Sequence, residues 1–126
     1  MALRYSIVTG FVLCLISTSL TKIQADEKVA KALQIIDQVG PQGRGSKAAS
    51  QAADKLVREG IEILPELFAH MNTDNLIAAN WCRYVYQQIV AKELAKPNPQ
   101  IPTDFLRDYI MESKHQGRTR RLAWDL

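Results

Sequence analysis

Leu64-Pro65-Glu66-Leu67-Phe68-Ala69-His70-Met71 leads into Asn72-Thr73-Asp74-Asn75 and then Leu76-Ile77-Ala78-Ala79-Asn80-Trp81-Cys82-Arg83-Tyr84-Val85-Tyr86. Proline fits the first turn of a helix, where its missing N–H has no intrahelical acceptor anyway. Leu67, Phe68 and Met71 then return at three- and four-residue spacing, which predicts a short helix with one buried side. The Asn-Thr-Asp-Asn run is a turn, because short polar side chains bond their own backbone there. From Leu76 to Ala95 the apolar residues Ile77, Ala78, Trp81, Tyr84, Val85, Tyr86, Ile89 and Leu94 go almost all the way round. They leave a narrow polar stripe of Asn80, Arg83 and Gln87. A helix so nearly apolar should be sandwiched between neighbours on more than one side, with Trp81 and Tyr84 as its anchors.

Upstream, Ser46 starts a helix that places Ala48, Ala49, Ala52, Ala53, Leu56 and Val57 on one half of its surface and stops at Gly60, a left-handed cap by residue type. Its alanines predict close approach to a neighbour. Asp26 is the expected cap of an earlier helix carrying Val29, Leu33, Ile36 and Val39. The Gly-Pro-Gln-Gly-Arg-Gly run at 40 to 45 reads as a flexible joint after it. Downstream, Lys96 to Pro102 is a stiff connector, and Thr103 is the expected cap of a helix with Phe105, Leu106, Tyr109 and Ile110 inward. His115-Gln116-Gly117 turns into a last helix from Arg118. No alternation of strand type occurs, so the fold class is all-α, built of short antiparallel helix pairs.

The order Leu-Pro helix, polar turn and longer alanine-bearing helix recurs. Ile101-Pro102-Thr103-Asp104-Phe105-Leu106, a turn at 115 to 117 and Arg118-Thr119-Arg120-Arg121-Leu122-Ala123 repeat it. Residues 46–126 resemble HEAT-repeat proteins, whose units pair a Leu-Pro-x-Leu helix with one of the Arg-x-x-Ala type; the nearest likeness is to HEAT-like domains of exported bacterial proteins. Ala78-Ala79-Asn80-Trp81 and Arg120-Arg121-Leu122-Ala123 carry the likeness most clearly, whereas Asn80-Trp81-Cys82 departs from the usual small residues. The resemblance implies an α-solenoid segment whose second helices line a concave side. The last helix is short for such a unit, so the repeat domain is expected to be incomplete at its carboxy end.

The first 25 residues are of different composition. Arg4 precedes the uncharged run Tyr5 to Leu20, and Ile23-Gln24-Ala25 precedes Asp26, the first of thirteen acidic residues. That is the plan of a signal peptide cleaved after Ala25. The expected organisation is therefore a leader at 1–25, a helix and Gly-rich linker at 26–45 and the repeat domain at 46–126, with the mature chain secreted or periplasmic and off the membrane. Arg4 and Lys22 leave with the leader, so fourteen basic residues face thirteen acids in what remains. A near-neutral domain of about 100 residues is one small core, and it argues against a nucleic-acid partner.

Chemistry-bearing patterns are sparse. His70 and His115 fall at separate helix ends, where carbonyls and the dipole would receive them, and no ligand spacing completes a metal sphere. Cys82, the one cysteine beyond the leader, sits among Ala78, Tyr86 and Ile89 and reads as a small core residue rather than a nucleophile. Gly45-Ser46-Lys47 lacks the spacing of a phosphate loop. Glu59, Glu62 and Glu66 flank a helix start, and Lys114, Arg118, Arg120 and Arg121 read as a solvated one. No cofactor and no catalysis are expected. What remains is the polar stripe of the second helices: Gln51, Asp54 and Arg58, then Asn80, Arg83 and Gln87, then Arg121. Mixed charge with amides suits a protein or peptide partner. The alternative is an accessory domain of an exported enzyme whose catalytic part lies beyond residue 126.

Overall fold

The computed structural model describes residues 24–126. The expected leader lies outside the described residues except for Gln24 and Ala25. Among them there are six α-helices and no strand: α1 (24–37), α2 (Ser46–Glu59), α3 (Leu64–Met71), α4 (Leu76–Leu94), α5 (Thr103–Met111) and α6 (Gly117–Trp124). Short 3-10 turns at Pro41–Gly43 and Ile61–Ile63 precede α2 and α3. No described helix is long and apolar enough to cross a membrane.

Each helix buries the face its apolar spacing defines. Val29, Ala32, Leu33 and Ile36 of α1 enter the same core as Ala49, Ala52, Ala53 and Leu56 of α2. The long helix α4 packs against both α2 and α3, and α5 packs against α6. Cys82, Val85, Tyr86 and Ile89 are buried along the middle of α4, and small Ala49 and Ala53 let α2 approach closely. The core centres on Phe68, which is fully buried and meets the rings of Tyr86, Phe105 and Tyr109 edge-on at 5.5, 5.9 and 4.9 Å. These are favourable T-shaped geometries.

Polar bonds then fix the helix ends. Asn75 caps α4, its Oδ1 accepting from the Ile77 and Ala78 N–H groups at 3.2 and 3.3 Å. Its Nδ2 donates to the Asp37 and Val39 carbonyls at 3.1 and 3.2 Å, so one side chain joins the end of α1 to the start of α4. The Tyr109 hydroxyl reaches the Phe68 carbonyl and the buried Thr119 hydroxyl, tying α5 to α3 and α6. Tyr86 donates to the Leu122 carbonyl at 3.0 Å and brings α6 onto α4. Glu93, buried on α4, accepts from Lys96 Nζ and the Gln100 N–H. Those bonds hold its carboxyl below the usual carboxylate range and fold the connector back on the helix.

Several sequence expectations need correction. Trp81 is only partly buried at the margin of the core, and Tyr84 is 44% exposed, so the anchor is Phe68 instead. Ala48 is exposed, one position off the buried stripe. Asp26 lies within helical backbone and caps nothing. Thr103 is the first residue of α5, after Pro102, and its side chain makes no cap bond. Gly60 has φ +86° and ψ −159°, a glycine region other than the left-handed helical one. The glycine-rich joint is a formed turn, closed by the Gly40 N–H to the Arg44 carbonyl at 3.0 Å.

Candidate functional site

Helices α4 and α6 border an open cleft of about 270 Å3. Asn80 and Arg83 enter it from α4, one turn apart. Arg118 and Arg121 enter from α6 and Asp125 from its carboxy-terminal cap, over a floor of Met71, Ala79 and Leu122. The Tyr86 to Leu122 bond sets the spacing of the two helices, and the Gln116 N–H to Asn72 Oδ1 bond at 2.8 Å fixes the start of α6. Arg118 donates to the Thr73 carbonyl, which turns its guanidinium over the cleft rim.

The lining holds three arginines and one carboxylate, that of Asp125. Arg121 Nε lies 3.0 and 3.3 Å from the two Asp125 oxygens, an exposed pair one helical turn apart. Arg83 takes part in no ion pair among the described residues. The lining therefore carries an excess of positive charge in a concave setting. Planar N–H forks are suited to carboxylates, which accept two parallel bonds from one guanidinium.

Comparison with family models, curated proteins and solved structures found no match.

Of the stripe expected from sequence, Asn80, Arg83 and Arg121 come together in this cleft. Gln87 is exposed on α4 beyond it. Gln51 and Asp54 are exposed on α2 and line neither this cleft nor the groove between α1 and α2. Arg58 belongs to that second groove, with Lys28, Lys31 and Lys55 around Val29, Ala32 and Ile35. A shallow hollow lined by Ser50, Ile77, Trp81 and Tyr84 connects α2 to Asn80. Sequence reasoning grouped Arg118, Arg120 and Arg121 as a solvated start. The structure separates them, because Arg120 turns inward to the Ile110 carbonyl and its Nε is buried without a partner.

Other reactive side chains are used structurally. Burial, aided by the Asp37 carboxylate, pushes the Cys82 thiol up to about 12, far from a nucleophile's range. His70 Nδ1 is 2.9 Å from Asp37 Oδ2, which ties α3 to α1. His115 stacks on Tyr109 at 3.8 Å and meets Glu112 at 3.1 Å. Both histidines thus have side-chain partners in place of the helix-end carbonyls expected from sequence. Among the described residues no group of three or more His, Cys, Asp or Glu side chains is placed to hold a metal ion. Glu59, Glu62 and Glu66 border a hollow beside α1 and face solvent.

Proposed function

We propose that this chain is an exported, non-catalytic binding module, a HEAT-like stack of helix pairs that presents the polar face of its second helices to a protein or peptide. One observation carries the reading: three residues of the polar stripe expected from the sequence, Asn80 and Arg83 on α4 and Arg121 on α6, line one open cleft. A polar stripe that is merely solvated has no need to converge with its neighbour's. Stacked repeats, by contrast, form extended concave surfaces from such helices. The uncharged run Tyr5 to Leu20 and the Ala25-Asp26 junction support export.

The test places a benzophenone-bearing amino acid at Asn80, with the same group at Arg107 on exposed α5 as control. Irradiation of the exported fraction should give a discrete cross-linked product from position 80 alone, competed away by excess unlabelled protein. The same preparation should begin at Asp26. Identical diffuse products from both positions would remove the binding reading, and an intact Met1 on a cytosolic product would remove export.

A further inference from the structure

We propose that the α4–α6 cleft recognises the carboxylates of an acidic peptide segment, with Arg83 and Arg121 as its principal contacts. This inference rests on the binding-module reading and names its ligand class. Arg83, Arg118 and Arg121 converge on a cavity of about 270 Å3 with Asp125 as the only acidic residue in the lining. Asp125 already occupies Arg121 in the manner of a ligand carboxylate, at 3.0 and 3.3 Å. An incoming carboxylate therefore takes Arg83 first and competes with Asp125 for Arg121. The Asn80 amide adds a donor and an acceptor suited to a peptide backbone, and Leu122 gives an apolar wall for the ligand's side chains.

The charge distribution favours a peptide over a phosphate polymer. Fourteen basic residues face thirteen acids beyond residue 25, so a nucleic acid would meet a nearly neutral domain without the large basic excess that draws a polyanion. Asp125 would repel a second closely spaced anion. A peptide with two or three separated carboxylates meets the arginines and avoids that repulsion.

The probe is a fluorescein-labelled octapeptide of alternating Glu and Leu, titrated into the full protein by fluorescence polarisation at low salt. Its Gln counterpart and a single-stranded oligonucleotide of equal charge serve as comparisons. The acidic peptide should bind at least about tenfold more tightly than the Gln version, and Arg83→Gln or Arg121→Gln should each weaken it about five- to tenfold. Arg107→Gln removes a charge on α5 and should leave binding unchanged. Asp125→Asn should tighten it about threefold by releasing Arg121, a gain that damaged folding cannot produce. Binding should fade as salt rises, since these groups are exposed. An oligonucleotide that binds as tightly as the acidic peptide, or a peptide affinity indifferent to Arg83→Gln and Asp125→Asn, would overturn the proposal. If position 80 still cross-links while the acidic peptide fails to bind, the ligand class falls and the binding module stands.

Discussion

Phe68→Ala is expected to destabilise the protein by about 3–5 kcal/mol, a large share of the roughly 5–15 kcal/mol available to a domain. The ring is fully buried and is the common contact of Tyr86, Phe105 and Tyr109, so its removal leaves a cavity lined by three helices at once. Tyr86 and Tyr109 are held by hydroxyl bonds to Leu122, Phe68 and Thr119, so these two rings cannot freely collapse into the space. Urea unfolding followed by circular dichroism measures the loss. Phe68→Leu keeps most of the volume and should cost less than about 1.5 kcal/mol, so the pair of variants separates cavity from ring chemistry. Midpoints equal to wild type for Phe68→Ala would mean that the core has another centre.

The second large effect is at Asn75. Asn75→Ala removes an N-cap, worth about 0.5–2 kcal/mol, and two further bonds to the α1 end at roughly 1 kcal/mol each before water replaces them. A total near 2 kcal/mol is expected. Asn75→Asp keeps the acceptor used by Ile77 and Ala78 but loses the donor to the Asp37 and Val39 carbonyls. It should therefore fall between wild type and Asn75→Ala in chemical denaturation at neutral pH. Equal losses for both variants would assign the whole effect to the tie with α1 and none to the cap.

The helix boundaries near Pro65, Asn75 and Gly60 were legible in the sequence because their causes are local: a ring that fits a first turn, a side chain that caps, a backbone only glycine adopts. Asp26 and Thr103 misled because a capping residue type says nothing about where helical backbone begins. Phe68 and Trp81 both sit on apolar faces, and which becomes the centre depends on the neighbour that arrives. Here Phe105 and Tyr109 of α5 reach Phe68, while Trp81 packs at the edge of the core with its ring edge-on to the exposed Tyr84. Glu93 is the clearest hidden case, a carboxylate at a helix end that is buried by the connector folding back on it.

The same distinction runs through the cleft. The Arg121 to Asp125 pair is four residues apart and follows from helix geometry alone. Arg83 and Arg121 line one cleft only through the tertiary placement of α6 beside α4, to which the Tyr86 hydroxyl contributes through the Leu122 carbonyl. Arg58 shared their stripe in the sequence, yet the groove it lines is walled by α1. Polar periodicity identified faces of single helices, and packing decided which faces meet.

The most direct test of the cleft as the working surface is amide resonance mapping of the isotopically labelled protein during titration with the acidic octapeptide. Shift changes should concentrate at Asn80, Arg83, Arg118 and Arg121, with Lys28, Lys55 and Arg58 unmoved. Changes centred on the α1–α2 groove, or none at any concentration that saturates peptide binding, would contradict the account.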